Sequence, residues 1–271
     1  MLKRVGLVGA TGWMGALIGQ ALLSGNRLRP EQLSCLNRSA SNAGYAAYPA
    51  VKWAANFSEL IELSDTLILS VRPEQFRDAN FCCGDKLVIS LMAGIPIKEL
   101  ADRTAASRII RAMPNSAAEI GRSFTPWFAS PETTATDRQI ATAILEAIGE
   151  TQQLDDEQQL NVLTGLSGAG PAYTALLISA LSQAAINAGI PEAIALKAAT
   201  ATAVDAAQVL SRSDRDSETI IHDYLSYDGV ITAALKAAQT SGFYRSINHA
   251  LLAANQKVTE LESQGDESPT N

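Results

Sequence analysis

Short apolar runs alternate with helical patterns through the first half of the chain. Five runs rich in Val, Ile and Leu, each bounded by Gly, Asn or Pro, are typical of buried strands: Val5–Val8, Leu33–Leu36, Thr66–Val71, Leu87–Leu91 and Ile109–Met113. Helical patterns lie between several of them, notably at Trp13–Leu23 and Phe57–Leu63. This strand–helix–strand alternation predicts a parallel sheet with helices on both faces.

From about residue 155 the strand pattern stops and Ala-rich helical runs take over. The six runs are Asp156–Leu166, Pro171–Ala188, Pro191–Leu210, Glu218–Leu225, Gly229–Thr240 and Tyr244–Leu261. We therefore predict an α/β domain over residues 1–154, followed by an all-α domain over residues 155–262. Residues 263–271 are polar and are expected to form a disordered tail.

The run Pro171–Ala188 is apolar almost all the way round a helix, which one small helical domain cannot easily bury. A membrane span needs about 20 residues with fewer polar groups than this run has, so a packed helix is the better interpretation. Such helices can pack against a second copy in a homodimer, or a larger assembly, or they can lie at the centre of their own domain. We favour the homodimer.

Composition and charge narrow the function classes. The chain has 271 residues, 47% of them hydrophobic, and a net charge of −7, so it is globular and neither nucleic acid nor an anionic membrane is expected as its main partner. Three cysteines without a CxxC pair, and two histidines, favour neither a metal site nor a disulfide framework nor a Ser-His-Asp triad. The apolar run at the N-terminus is too short for a signal peptide core, which favours a cytoplasmic protein.

A glycine-rich loop follows the first run and opens the first helix, with the sequence Gly9-Ala10-Thr11-Gly12-Trp13-Met14-Gly15. Its glycines let the backbone approach a pyrophosphate, and the exposed amides at the helix N-terminus bind the phosphate charge. The spacing has one residue more than the commoner GxGxxG pattern. Because a strand precedes the loop and a helix follows it, a dinucleotide site of a Rossmann domain is favoured over a tight turn without a ligand.

The end of the second run, Asn37-Arg38-Ser39, predicts which dinucleotide binds. An acidic residue at this position would hydrogen-bond the ribose 2′-hydroxyl of NAD, whereas a cation with hydroxyls suits a 2′-phosphate. Arg38 can pair with phosphate and stack on adenine, and Ser39 can donate a hydrogen bond. The alternative is that Arg38 is a solvated surface residue. We favour NADPH over NADH.

Four further segments resemble those of one family, the pyrroline-5-carboxylate reductases. They are Asp65–Gln75, Ser90–Ile95, Arg111–Ser116 and the stretch Leu166-Ser167-Gly168-Ala169-Gly170-Pro171-Ala172-Tyr173. In the family, the first covers the nicotinamide half of the cofactor, the next two also face the cofactor, and the last opens a long dimerisation helix. The resemblance extends over residues 3–262, in order and with matching spacing.

This resemblance implies a Rossmann domain followed by a helical dimerisation domain, with the active site where two subunits meet. The implied reaction reduces the ring imine of pyrroline-5-carboxylate to L-proline with NADPH or NADH. The further cofactor-facing residues that it implies are Asn56, Val71, Arg72, Pro73, Ala93, Gly94 and Asn115. The implied substrate-binding residues are Gly168, Ala169, Gly170 and Gly229.

The departures from the family are concentrated in one loop. Where the family has Ser-Pro-Gly-Gly-Thr-Thr, whose amides and threonine hydroxyl bind substrate, this chain has Ser226-Tyr227-Asp228-Gly229-Val230-Ile231. The side chains of Val230 and Ile231 cannot donate hydrogen bonds, and Asp228 places a negative charge near the expected position of the substrate carboxylate. Ala169 also replaces the usual serine, and Arg72 the usual lysine.

Two interpretations of the altered loop follow. In one, Tyr227 or Asp228 supplies a proton or anchors a differently charged imine, with Ser226 as a further catalytic candidate. In the other, Tyr227 packs on a neighbouring helix and Asp228 caps the helix starting at Gly229.

Three functions stay open for the protein: a pyrroline-5-carboxylate reductase that uses backbone amides and Ser226, a reductase of a different cyclic imine, and a non-catalytic dimer that binds NADPH.

Overall fold

The computed structural model describes residues 2–38, 44–79 and 81–264. The chain divides into two compact units. The first contains the residues up to Ala169 together with those from Ala253 onward, and the second is Gly170–Leu252. The C-terminal segment therefore belongs to the same unit as the N-terminal half. The tail prediction falls mainly on residues 265–271, which lie outside the described residues.

The first unit is built on one eight-stranded sheet with the order β3-β2-β1-β4-β5-β6-β7-β8. The strands are β1 Val5–Val8, β2 Leu33–Leu36, β3 Lys52–Trp53, β4 Thr66–Leu69, β5 Leu87–Ser90, β6 Ile109–Ala112, β7 Ser123–Ala129 and β8 Gly149–Gln153. All five predicted strands are present. Within the described residues, neighbouring strands are parallel except β6 and β7, so the prediction of a parallel sheet is wrong at that one pair.

The sequence pattern missed three strands: β3, which has only two residues, and β7 and β8 for other reasons. Pro126 lies inside β7, and proline is normally confined to edge strands because it has no N–H to donate. Its carbonyl nevertheless accepts a hydrogen bond from the amide of Met113 at 2.9 Å. The edge strand β8 reads Gly-Glu-Thr-Gln-Gln and carries no apolar run.

Helices cover both faces of the sheet, as predicted. They are α1 Trp13–Ser24, α2 Phe57–Glu62, α3 Pro73–Arg77, α4 Ile97–Thr104 and α5 Ala135–Leu145. Successive residues of a strand point to opposite faces. Ile68 of β4 accordingly packs in the apolar cluster that contains residues of α1 and α5, whereas Leu67 and Leu69 pack with residues of α2, α3 and α4.

The rest of the chain is helical. Its helices are α6 Glu157–Leu163, α7 Gly170–Asn187, α8 Glu192–Leu210, α9 Ser217–Leu225, α10 Val230–Thr240 and α11 Phe243–Ser263. All 18 residues of α7 are at least partly exposed, so the alternative that this helix lies at the centre of its own domain is wrong for a single chain. By length and composition alone, the stretches Glu157–Asn187 and Glu192–Leu210 could each span a membrane. Helices that pack against a second subunit have the same composition.

Candidate functional site

The glycine-rich loop makes backbone contacts that leave no room for side chains. Gly9 has a φ of +81°, and a Cβ built on it would lie 2.1 Å from the carbonyl oxygen of Ser70. A Cβ on Gly15 would lie 2.2 Å from the carbonyl oxygen of Gly9. Gly12 is the N-cap of α1 and has no side chain that could cover the first amides of the helix. The loop therefore leaves the amides of the helix N-terminus accessible to an anion.

Three hydrogen bonds hold this loop on the sheet. The amide of Gly9 donates to the carbonyl of Leu36 at 2.8 Å, and the amide of Thr11 donates to Oδ1 of Asn37 at 3.1 Å. The buried phenol of Tyr45 donates to the carbonyl of Ala10 at 3.2 Å. Sequence reasoning named Asn37 as a cofactor-binding residue but missed Tyr45, which carries no motif signal. The structure places both where they fix the loop.

Two residues of the loop are placed by other contacts. Nε1 of the exposed Trp13 donates to Oε1 of Glu119 at 2.8 Å, and Met14 packs partly buried against the core.

Arg38 follows β2 and is exposed, at the carboxyl end of the strand. Ser39 lies outside the described residues.

The residues of the next two segments follow strands of the same sheet. Val71, Arg72 and Pro73 come after β4, where the amide of Arg72 donates to Oε1 of Gln75 at 3.3 Å as α3 begins. Ala93 and Gly94 come after β5. The carboxyl ends of parallel strands meet at one edge of a sheet, so these segments lie at the edge that carries the glycine-rich loop.

Asn56 has a local structural contact. It is the N-cap of α2, and its Oδ1 accepts a hydrogen bond from the amide of Glu59 at 2.9 Å. This contact satisfies one of the unpaired amides at the start of the helix. Its proposed cofactor contact remains a prediction.

Asn115 connects two segments that the family resemblance singled out. Its Nδ2 donates to the carbonyl of Ser167 at 2.9 Å, and its Oδ1 accepts from the amide of Ala117 at 2.9 Å. Beside it, Cγ of Met113 would lie 3.7 Å from a Cβ on Gly168. Residues 111–116 and 166–169 thus lie together in the first unit.

The distinctive stretch around Gly168 has an unusual backbone. Residues Thr164–Gly168 form a π-helical turn between α6 and α7. Such turns occur often at functional sites because they change the direction of side chains within a continuous helix. Ala169 follows this turn, and Gly170 begins α7 with open space where a Cβ would stand.

The candidate catalytic residues lie in the α9–α10 loop, residues 226–229. Ser226 ends α9, and its hydroxyl donates to the carbonyl of Asp223 at 2.7 Å. Gly229, and not Asp228, is the N-cap of α10, so the interpretation of Asp228 as the cap is wrong. Tyr227 is 73% exposed, so in a single chain it does not pack on a neighbouring helix as the same interpretation required.

Sequence reasoning missed Thr232, which holds the shape of this loop. Its buried hydroxyl lies 2.7 Å from the carbonyl oxygen of Tyr224 and 2.5 Å from that of Tyr227. An open pocket of about 410 Å³ adjoins it. The residues that line this pocket are Tyr224, Tyr227, Gly229, Val230, Ile231 and Thr232.

A second pocket, of about 380 Å³, lies at the amino ends of the strands, opposite the edge of the sheet that carries the glycine-rich loop. Its lining includes Lys3 just before β1 and Asp65 just before β4. Open α/β sheets bind their ligands at the carboxyl ends of the strands. We therefore do not take this pocket as the functional site.

Burial makes two of the cysteines poor nucleophiles. It raises the pKa of both Cys35 and Cys83 to about 12. Both thiols are therefore protonated at neutral pH, and only a thiolate is a strong nucleophile. Neither residue is a candidate for covalent catalysis.

Comparison with known proteins agrees with this arrangement. Residues 157–261 match the profile of the pyrroline-5-carboxylate reductase dimerisation domain. A pyrroline-5-carboxylate reductase from Pseudomonas aeruginosa is 30% identical, and the match covers 96% of this chain and 97% of the relative.

Two solved structures of related proteins share the fold. One is a pyrroline-5-carboxylate reductase from Coxiella burnetii, 24% identical with a TM-score of 0.86, whose match covers 96% of this chain and 99% of that one. The other is a Plasmodium falciparum pyrroline carboxylate reductase with NADP bound, 20% identical with a TM-score of 0.80, covering 96% and 98%.

The fold and the relatives together define an NAD(P)H-dependent oxidoreductase with a Rossmann-like unit and a dimerisation domain. The chain belongs to the pyrroline-5-carboxylate reductase family.

Proposed function

We propose that the protein is an NADPH-dependent reductase of a cyclic imine, and that its substrate is pyrroline-5-carboxylate, which it converts to L-proline. The observation that carries the proposal is the glycine-rich loop, where a Cβ on Gly9 or Gly15 would lie only 2.1 or 2.2 Å from a backbone carbonyl oxygen, so that only glycine fits. The full-length relative from P. aeruginosa and the NADP in the P. falciparum structure support it.

The residues present fit a dinucleotide. The loop brings bare backbone and the first amides of α1 to one place, which suits a pyrophosphate, and Arg38 stands exposed after β2 to pair with a 2′-phosphate. When bound, NADPH supplies the hydride that reduces the imine carbon. The task of the chain is to hold the ring in position and stabilise charge on its nitrogen and carboxylate.

Replacing Arg38 tests the choice of cofactor. Arg38→Ala should raise the Kd of NADPH by about 10- to 100-fold, because a charge-assisted hydrogen bond to the 2′-phosphate is lost. The Kd of NADH should change little, since NADH has no phosphate at that position. Fluorescence titration with both cofactors measures the two constants on the same sample. Equal weakening of both would show that Arg38 does not bind the 2′-phosphate.

The α9–α10 loop supplies the substrate contacts in this proposal. The amides of Val230 and Ile231 open α10 and have no partner within the helix, which suits a carboxylate. Thr232 fixes the loop carbonyls, so the amides are held in one arrangement. Ser226 is a candidate for the imine nitrogen, and Tyr227 and Asp228 are candidates for delivering its proton.

Restoring the family sequence tests the loop. Replacing Tyr227, Asp228, Val230 and Ile231 by Pro, Gly, Thr and Thr should raise kcat/KM for pyrroline-5-carboxylate by about tenfold, because the Asp228 charge is removed and hydroxyl donors are added. The KM of NADPH should stay constant. Asp228→Gly alone and the Val230→Thr/Ile231→Thr pair separate the effect of charge from that of the hydroxyls. An unchanged or lower kcat/KM in all three variants contradicts this account of the loop.

A second candidate substrate is a cyclic imine without a carboxylate. The observation that favours it is the composition of the loop, where Val230 and Ile231 line an open pocket and Asp228 precedes the lining residue Gly229 in the chain. Oxidation of NADPH with pyrroline-5-carboxylate, pyrroline-2-carboxylate, piperideine carboxylates and carboxylate-free pyrroline distinguishes the candidates. Turnover of pyrroline-5-carboxylate supports the proposal, and turnover of the carboxylate-free ring alone replaces it with the second candidate.

We also propose that the active form is a homodimer in which α7 and α8 pack against a second copy. The match of residues 157–261 to the family's dimerisation domain supports this assembly, and so does the exposure of both helices in the single chain. Analytical ultracentrifugation should find a dimer or a multiple of it. A monomer at micromolar concentration would contradict it.

A further inference from the structure

The last turn of α11 contacts one predicted cofactor residue, Gly94, and two residues in segments next to other predicted cofactor residues, Arg77 and Arg111. This turn, formed by Leu261 and Glu262, belongs to the first compact unit although it is far from the sheet in sequence. Its contacts are to Arg77 at the end of α3, to Gly94 after β5 and to Arg111 in β6. One helical turn is therefore packed against the ends of three elements of the cofactor edge.

Arg77 joins the turn to the backbone after β5. Its Nη2 donates to the carbonyl of Leu261 at 2.8 Å and to the carbonyl of Gly94 at 3.2 Å. Its guanidinium is held by Glu99, with Nε 2.9 Å from Oε1 and Nη2 3.0 Å from Oε2. Nη2 has two hydrogens for these three acceptors, so one hydrogen is shared between two of them. The planar fork of arginine presents Nε and Nη2 side by side to Glu99, which a lysine ammonium cannot reproduce. Glu99 also accepts from Nε of Arg103 at 2.9 Å.

Gly94 packs directly against the same turn. Its φ is +69°, and a Cβ on it would lie 2.4 Å from Cβ of Leu261. The close approach explains why glycine stands here, since any side chain at residue 94 would push the Ala93–Gly94 turn away from α11. The position of the Ala93–Gly94 turn thus depends on where α11 ends.

Glu262 fastens the turn from the other side. Its Oε1 lies 3.2 Å from Nη1 of the fully buried Arg111, and its Oε2 accepts from Nδ2 of Asn161 at 2.9 Å. Arg111 begins the segment that leads to Asn115. A part-buried ion pair of this kind fixes geometry more firmly than one in water.

We infer that the last turn of α11 is a positioning element for the nicotinamide half of the cofactor site. It holds the Ala93–Gly94 turn through Arg77 and Leu261, and the Arg111 strand through Glu262. The inference rests on the proposed function, because the assignment of these segments to the nicotinamide half comes with it. Arg77, Leu261 and Glu262 can do this without touching the cofactor.

Arg77→Lys tests this role, with Arg103→Lys as the matched control. Arg103 contacts the same Glu99 and the carbonyl of Arg77, so its replacement disturbs the same ion cluster. We expect Arg77→Lys to raise the Kd of NADPH by about tenfold and Arg103→Lys to leave it within about twofold. The Kd of 2′,5′-ADP, which carries only the adenosine half, should be unchanged in both. A general loss of folded structure would instead weaken the binding of NADPH and of 2′,5′-ADP equally.

A second pair of variants keeps the test decisive if Arg77→Lys does not fold. Glu262→Gln removes the charge facing Arg111, and Glu260→Gln removes an exposed charge paired with Lys257 in the same helix. Only Glu262→Gln should weaken the binding of NADPH more than the binding of 2′,5′-ADP. The inference is overturned, while the proposed function stands, if a variant raises the Kd of NADPH and of 2′,5′-ADP equally. It is also overturned if neither Arg77→Lys nor Glu262→Gln raises the Kd of NADPH. If the unaltered protein binds neither ligand, the proposed function fails and the inference with it.

Discussion

Gly9→Ala should abolish measurable NADPH binding and lower the free energy of unfolding by about 3 kcal/mol. The new Cβ would lie 2.1 Å from the carbonyl oxygen of Ser70, and the residue would be held at a φ of +81°. The loop cannot move aside at low cost, because the amide of Gly9 donates to Leu36 and its carbonyl accepts from Gly12. Urea unfolding and fluorescence titration with NADPH measure the two effects.

Gly84→Ala is the matched control for that variant. Gly84 also has a positive φ, +58°, but a Cβ there would meet nothing within 4 Å. Its replacement should cost only the left-handed backbone penalty of about 1 kcal/mol and leave NADPH binding intact. If Gly9→Ala behaves like Gly84→Ala in both measurements, the close contact of the loop with Ser70 does not exist in solution.

Arg111→Met should destabilise the fold by about 3–5 kcal/mol, because it leaves two part-buried carboxylates without their cation. Nη1 of Arg111 lies 2.5 Å from Oε1 of Glu157 and 3.2 Å from Oε1 of Glu262, and the arginine is 1% exposed. Glu157 also accepts from the amide of Ile97 at 2.8 Å, so it cannot turn away without losing that bond. Urea unfolding at neutral pH measures the loss.

Two comparisons show whether the buried charges are the cause. Arg4→Met removes a cation from an exposed pair with Asp65, and should cost less than about 1 kcal/mol. Changing Glu157 and Glu262 to Gln in the Arg111→Met background should recover part of the loss, since no uncompensated charge then remains. A cost for Arg111→Met no larger than that for Arg4→Met would contradict the account of this cluster.

The sequence was sufficient for the sheet centre and the glycine-rich loop. Parallel strands that are buried on both faces carry continuous apolar runs, so β1, β2, β4, β5 and β6 stood out. The loop was recognisable because its glycines have a fixed place between a strand and a helix. Three strands were not predicted: β3 has only two residues, β8 has no apolar run, and β7 contains Pro126, which is unusual inside a strand.

The parts that could not be predicted depend on contacts between distant residues. Arg77 and Leu261 are 184 positions apart, and nothing in either local pattern indicates that they meet. Asp228 was proposed as a helix cap because aspartate is common there, but α10 begins one residue later. The hydroxyl that holds this turn belongs to Thr232, whose role depends on carbonyls of Tyr224 and Tyr227.

The measurement that tests the central claim most directly is transfer of deuterium to pyrroline-5-carboxylate from NADPH that carries deuterium at both C4 positions. We predict that the purified protein produces L-proline carrying one deuterium at the carbon that was the imine carbon, seen by mass spectrometry together with loss of NADPH absorbance. NADPH that binds but is not oxidised by pyrroline-5-carboxylate or by any other cyclic imine would contradict the account, and would favour a protein that binds the cofactor without catalysis.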